Sequence, residues 1–146
     1  MKRIKCQKGA AVVEFALIVP LLIVIVFGII EFSLLFFDKQ VITNASREGA
    51  RYGILWGSSS PDVAEGLARF HNSEITAKVD EYAASHLVTF GASITPVTTI
   101  TRTGDTSGNA LTVTVTYNYD FLLLPNFIPG LPAVKTLTGV TVMRLE

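Results

Sequence analysis

One long apolar stretch near the N-terminus restricts what this chain can fold into. No residue from Phe15 to Ile30 is charged. At 1.5 Å per residue, about 23 residues of helix span roughly 34 Å, which is enough to cross the hydrocarbon core of a bilayer. The stretch from Lys8 to Phe37 therefore predicts a transmembrane helix, with residues 10–37 as the span. Pro20 lies inside it and predicts a kink, because proline removes one helix hydrogen bond.

Charges are distributed unevenly around this stretch. The chain has 12 basic and 12 acidic residues, and four of the basic ones form a leader without acidic residues: Lys2, Arg3, Lys5 and Lys8. Basic residues next to a span tend to stay in the cytoplasm, so we predict a cytoplasmic N-terminus and an extracytoplasmic C-terminal part. No basic cluster lies outside the leader, so a nucleic acid is not an expected partner.

The small residues precede the apolar stretch, whereas in a secretory signal they follow it. Such a signal has a shorter apolar core, followed by a small-residue cleavage site. Here Asp38 follows the core, and Gly9, Ala10 and Ala11 precede it. This order indicates cleavage on the cytoplasmic side, after Gly9, which would keep the helix in the mature protein. An uncleaved signal anchor is the alternative.

Glu14 is a second unusual feature, because an ionised carboxylate near the start of a membrane helix is costly and usually has a partner or a function. Cleavage after Gly9 would make Ala10 the new N-terminus and Glu14 the fifth mature residue. The new ammonium group and the carboxylate could then pair, within one helix end or between neighbouring subunits. The alternative is a glutamate in the headgroup region, where its charge costs little.

These residues resemble the processing signature of the type IV pilin-like superfamily, which is a basic leader, a glycine, four mostly apolar residues, a glutamate and an aromatic residue. The chain has this signature as Lys8-Gly9, Ala10-Ala11-Val12-Val13 and Glu14-Phe15. Within the superfamily it most resembles the TadE-like minor pilins, or pseudopilins, of tight-adherence (Tad/Flp) pilus systems. The segments that carry this resemblance are GAAVVEFALIVPLL, ITNASREGARYG and, in a looser form, LTVTVTYNYDF and GVTVMRLE.

The resemblance implies a function in assembly. A prepilin peptidase would cut between Gly9 and Ala10, and Glu14 and Phe15 would serve processing and assembly. The protein would be a membrane-anchored structural component of Flp-type pilus biogenesis and adhesion in the bacterial inner membrane. Its partners would be other pilins and pseudopilins, a secretion ATPase and the platform proteins of the Tad system.

Residue types give no support for catalysis. The sequence has no metal-ligand cluster, phosphate-binding glycine loop or nucleophile motif, so neither an enzyme nor a cofactor, metal or small-molecule substrate is expected. An anchored hydrolase has no candidate residues. Cys6 is the only cysteine, so no intramolecular disulfide can form. The remaining alternative is a single-span binding module that captures a ligand outside the cell, and a mature chain that retains Cys6 would favour it.

A helical extension is predicted directly after the span, over residues 38–56. In it Ala45, Gly49 and Gly53 recur every four residues and permit close approach of another helix or a sheet. Residues 57–146 then predict an extracytoplasmic α+β domain. Its first helix is expected from Pro61 to about His71, and its second from about Asn72 to near Gly91.

Three threonine- and valine-rich strands should complete this domain as an antiparallel meander covered by helices. The first is expected over Ile94–Thr103, where Pro96 indicates an edge strand or a bulge. The second, over residues 111–120, alternates strictly between apolar and polar residues. The third covers about residues 134–145, and its apolar phase shifts around Gly139, which indicates a bulge.

An uncharged segment, Phe121–Pro132, lies between the last two strands and is called the proline-rich segment below. Its three prolines exclude a membrane helix. It either packs over the open end of the sheet or rests on the membrane or a partner subunit, since an exposed apolar patch usually marks an interaction surface. Packing over the sheet is the favoured prediction, and no role is assigned to Glu31.

Overall fold

A long helix, a shorter helix and a three-stranded antiparallel sheet make up the fold. The computed structural model describes residues 8–55, 71–89, 95–104 and 107–145. The helices are α1 (Lys8–Ile54), α2 (Asn72–His86) and the single turn α3 (Leu124–Phe127). The strands are β1 (Val97–Arg102), β2 (Ala110–Asp120) and β3 (Val134–Arg144), in the order β1-β2-β3. The predicted α+β class and meander are confirmed, whereas the helix predicted from Pro61 lies outside the described residues.

Burial divides α1 into two halves, although it is one helix of 47 residues that continues through Pro20. In the inner half (Gly9–Ile30) no residue is buried and almost all are exposed. In the outer half (Glu31–Ile54) the buried residues recur every three or four positions, which places them on one face of the helix. They are Glu31, Asp38, Val41, Ile42, Ala45, Ser46, Gly49, Ala50 and Gly53.

The central strand β2 has one buried and one partly exposed face, as its alternating sequence predicts. Its inward residues form much of the core with the outer half of α1: Leu111, Val113, Val115, Tyr117 and Tyr119. The first strand, β1, pairs only with β2 and is therefore an edge strand, and Pro96 directly precedes it. The edge position predicted from this proline is confirmed.

The glycines of α1 bring its backbone close to its neighbours. A Cβ atom on Gly49 would lie 2.5 Å from Cγ2 of Val79 in α2, and one on Gly53 would lie 2.5 Å from Cδ2 of Leu111 in β2. The predicted close approach is confirmed, and the neighbours include both a helix, α2, and the sheet. Because Tyr119 contacts Glu31 while Leu111 lies at Gly53, β2 runs antiparallel to the outer half of α1.

Gly139 has a different role from the one its sequence pattern indicates. The pairing of β2 with β3 keeps one register from Ala110–Arg144 to Asp120–Val134, so the predicted bulge is wrong. A Cβ atom on Gly139 would lie 2.6 Å from the carbonyl oxygen of Ile42. The glycine therefore lets β3 contact the backbone of α1, and the shifted apolar phase arises because nearby valines of β3 face outward: Val140 and Val142.

The second helix ends earlier than its periodicity indicates. It stops at His86 rather than near Gly91, and residues 87–89 are not helical. The amide N–H of Leu87 donates to Ala83, but the N–H of Val88 donates instead to the carboxylate of Asp38 on α1. The Asp38 carboxylate, 50 residues away in sequence, thus accepts the hydrogen bond of an amide that would otherwise continue the helix.

Candidate functional site at the junction of helix and domain

The predicted processing residues all lie on the exposed first turns of α1. Gly9, Ala10, Glu14 and Phe15 are exposed, and a Cβ atom on Gly9 would meet no atom within 4 Å. These positions are therefore accessible to a partner. Pro20 is also exposed and lies within the continuous helix, so the kink predicted there stays a prediction.

Glu31 holds the proline-rich segment against α1. Its side chain is only 4 % exposed, and its carboxylate accepts hydrogen bonds from three consecutive backbone N–H groups. Oε1 accepts from Leu122 and, at 3.2 Å, from Leu123, while Oε2 accepts from Leu124 at 3.0 Å. Hydrogen bonds to an ionised acceptor are the stronger kind, and leaving buried amides unpaired would be costly. One carboxylate thus organises the start of the segment and the turn α3.

A group of aromatic side chains lies beside the backbone of Glu31 and the start of the segment. The Tyr119 hydroxyl donates to the backbone carbonyl of Glu31 at 3.3 Å. Phe121 makes edge contacts with Tyr119 and Phe32, with ring centroids 5.3 Å and 6.2 Å apart. Burial, with a smaller contribution from the Glu31 charge, raises the pKa of Tyr119 to about 12. The phenol therefore stays protonated and remains a hydrogen-bond donor at physiological pH.

An apolar cleft of about 200 Å³ lies between α1 and the start of the proline-rich segment. Apart from Glu31, its lining is entirely apolar, and it comes from both elements: Phe27, Ile30, Leu34, Leu122 and Leu123. The two features without an assigned role, Glu31 and the proline-rich segment, are therefore one structural unit. A signal for Glu31 did exist in the sequence, because an isolated carboxylate in an apolar run requires a partner.

Asp38 forms a second polar contact, two turns further along α1. It is fully buried, Oδ1 accepts from the Val88 N–H at 3.1 Å, and Oδ2 has no hydrogen-bond partner within the described part of the chain. Desolvation raises the pKa of this carboxyl, and the Val88 hydrogen bond offsets part of the rise. Nearby, Lys39 Nζ donates to the Thr138 carbonyl, which ties α1 to β3.

Two further features of the described surface concern metal-binding residues and an open groove. Residues 8–55, 71–89, 95–104 and 107–145 contain no group of three or more histidine, cysteine, aspartate or glutamate residues that could hold a metal ion. An open groove of about 310 Å³ lies between α1 and α2. Its polar side chains are largely paired with each other: Lys78 with Glu81 at 2.7 Å, and His86 stacked on Tyr82 at 4.3 Å.

Together these features define a class of protein. Among the described residues, a single helix is long and apolar enough to cross a membrane, and it continues into a small α+β domain that is built directly on its outer half. Described helices other than α1 are far too short to span a bilayer. The architecture fits a single-pass membrane protein whose domain lies at one side of the membrane.

Residues 9–51 match the model of a family described as TadE-like protein. The match begins at Gly9, includes Glu14 and Glu31, and confirms the resemblance over the whole inner half and most of the outer half of α1. This family is structural rather than enzymatic, and the match together with the apolar helix fits a membrane-anchored component of a Tad pilus. Comparisons with curated proteins and with solved structures find no significant match.

Proposed function

We propose that the protein is a TadE-like pseudopilin, a structural component of Tad pilus biogenesis that a prepilin peptidase cuts between Gly9 and Ala10. The observation that carries the proposal is the family match, which starts at the proposed cleavage site. In this proposal residues 1–9 are the leader, 10–37 the span, 38–56 the helical extension and 57–146 the extracytoplasmic domain. The basic leader keeps the N-terminus in the cytoplasm.

The two glutamates of α1 have different tasks in this proposal. The Glu31 carboxylate is engaged within the chain by three backbone amides, whereas Glu14 is exposed. Glu14 is therefore the carboxylate that pairs with the ammonium group of a processed N-terminus, on its own helix end or on a neighbouring subunit. Since the inner half is exposed on all sides, it can face lipid before assembly and other apolar helices afterwards.

The partners follow from this mechanism. The prepilin peptidase would act on the leader, other pilins and pseudopilins would pack against the inner half of α1, and the secretion ATPase and platform proteins of the Tad system would act during assembly. The exposed position of Gly9 and Ala10 supports access by a peptidase. No chemistry is assigned to the domain itself.

Processing can be tested through the only cysteine of the chain. Cleavage after Gly9 removes Cys6. The intact mass of the mature protein should therefore be lower by the mass of nine residues, and a thiol-reactive maleimide should no longer label it. Gly9→Leu should block cleavage and retain both the mass and the label. Ala16→Leu is the control, because it introduces the same leucine side chain at an exposed helix position beyond the cleavage site. A natural chain that keeps Cys6 would contradict processing and support an anchored binding module instead.

The role of Glu14 in assembly requires a separate measurement. Glu14→Ala should be cleaved normally but should fail to support piliation, because the new ammonium group loses its carboxylate partner. Glu48→Ala, which removes an exposed glutamate from the outer half of the same helix, should leave piliation unchanged. Electron microscopy and the mature mass report the two steps independently. Normal piliation of the Glu14 variant would contradict the pairing mechanism.

A further inference from the structure

We propose that the proline-rich segment is a second membrane-contacting element, which rests on the outer leaflet beside the point where α1 leaves the hydrocarbon core. The inference depends on the proposed insertion of α1 in a bilayer. It adds that the domain contacts the lipid surface through this segment, in addition to being anchored by the span.

Part of the segment presents apolar side chains outward, whereas Leu124 is buried. From Phe121 to Ala133 there is no charged residue, and Asn126 is the only polar side chain. Leu122 is 47 % exposed and Phe127 is 51 % exposed. Apolar side chains of this size, clustered in a short uncharged segment, are typical of a contact with another surface.

The position of the segment along α1 sets its depth. Glu31, which binds the amides of Leu122, Leu123 and Leu124, lies 22 residues after Gly9. At 1.5 Å per residue this separation is about 33 Å, close to the thickness of a hydrocarbon core. If the basic leader marks the inner boundary of the core, the segment lies close to its outer boundary, beside the last two turns of the proposed span 10–37.

The backbone of the segment is suited to this environment. Three of its residues are prolines, which have no N–H group to satisfy. Of the other ten N–H groups between Phe121 and Ala133, seven donate to the Glu31 carboxylate or to backbone carbonyls within residues 121–133. Backbone N–H groups near hydrocarbon have little water to bind and need partners within the protein, and most N–H groups of this segment have one, which suits a position at the surface of the core.

Continuity with the span identifies lipid as the occupant. The apolar cleft under Leu122 and Leu123 is lined on its other side by Phe27 and Ile30, which belong to the exposed apolar surface of the inner half. An apolar surface therefore extends from the span onto the segment, and Glu31, the charged side chain that lines the cleft between them, is buried. A bilayer that covers the inner half would extend over Leu122 and Phe127 as well.

Single-tryptophan variants can measure this contact in the full chain. Trp56 is the only tryptophan, so Trp56→Phe provides the background. Phe127→Trp places the reporter on the segment, Leu22→Trp near the middle of the span, and Val142→Trp on the outward face of β3. Val142 is eight residues beyond Val134 on the same strand, roughly 27 Å further from the segment. The variants are reconstituted in phosphatidylcholine–phosphatidylglycerol vesicles with acyl chains brominated near the headgroup or near the chain end.

The proposal predicts that Phe127→Trp loses fluorescence to bromines near the headgroup, more than to bromines near the chain end. Leu22→Trp should show the reverse depth preference, and Val142→Trp should not be quenched. Leu122→Trp repeats the measurement in case the Phe127 variant does not fold, as judged by the near-ultraviolet circular dichroism of the buried tyrosines.

Other outcomes would overturn the proposal in distinguishable ways. Unquenched emission from both segment reporters, with Leu22→Trp quenched, would reject the lipid contact and leave the span intact. A blue-shifted, unquenched reporter whose emission depends on the protein-to-lipid ratio would show that a second copy of the chain covers the segment. An unquenched Leu22→Trp would reject the membrane span, and with it the proposed function.

Discussion

The inner and outer halves of α1 belong to one helix but are stabilised by different surroundings. The inner half has apolar residues on every side and no buried position, whereas the outer half buries one face against β2, β3 and α2. Ile18 is 60 % exposed and Ile42 is fully buried, although both are isoleucines in the same element. A membrane helix needs no partner from its own chain, whereas a helix in water needs one for its apolar face.

The glutamates show the same contrast for polar groups. Glu14, in the inner half, is exposed, while Glu31, at the start of the outer half, is buried with three backbone amides. The boundary between the halves therefore lies at Glu31, the first residue of α1 whose carboxylate accepts hydrogen bonds from the domain. Substitutions in the outer half should therefore affect the fold of the domain, and those in the inner half should affect insertion or assembly.

The largest difference in stability is expected between alanine substitutions of the two isoleucines. Ile42→Ala should lower the free energy of unfolding of the domain by about 2–5 kcal/mol, because it leaves a cavity in the core. Ile18→Ala should change it by less than about 0.5 kcal/mol. Urea unfolding of the full chain in nonionic detergent micelles, followed by near-ultraviolet circular dichroism, measures both. Equal effects of the two substitutions would break the proposed division of α1.

Removal of the Glu31 side chain should have an intermediate effect. Glu31→Ala leaves the amides of Leu122, Leu123 and Leu124 without their acceptor, which should cost about 1–3 kcal/mol. Hydrogen exchange at these amides should accelerate at the same time. Glu14→Ala is the matched control on the same helix and should leave both quantities unchanged. If Glu31→Ala does not alter exchange at these amides, the carboxylate does not hold the segment.

The smallest effect should come from Asp38 and should depend on pH. Burial raises the folded-state pKa of this carboxyl above its ordinary value of 3.8, so the folded chain binds the proton more tightly than the unfolded chain. The contribution of Asp38 to stability is therefore greatest below this value, and it decreases as pH rises through the folded-state pKa. Asp38→Asn, which does not titrate, should gain stability relative to the natural chain as pH rises from about 3.8 toward neutrality.

Unfolding curves of both chains across this range measure the difference for Asp38. Val142→Ala, an exposed substitution without a titratable group, should give a difference that does not vary with pH. A pH-independent difference between Asp38→Asn and the natural chain would show that burial does not perturb this carboxyl.

Much of the secondary structure could be predicted because it depends on local pattern. The unbroken apolar run predicts α1, and the alternation in β2 predicts its buried face, since side-chain direction along a helix or strand follows from its period. The spacing of Ala45, Gly49 and Gly53 likewise predicted a close approach. Predictions from local pattern were wrong where a residue distant in the sequence determines the structure. Helix α2 ends early because the Asp38 carboxylate accepts from the Val88 amide, and Gly139 contacts α1 instead of forming a bulge.

The apolar helix, the Gly9–Phe15 motif and the order of the strands follow from the amino-acid sequence, because each depends on residues close together in the chain. Contacts between residues far apart in the chain became known only from the fold. Glu31 and the amides of the proline-rich segment are more than 90 residues apart, and nothing in either local pattern specifies the other. They meet because β2 runs back along α1 and delivers the segment to the level of Glu31, where a buried carboxylate and unpaired amides satisfy each other.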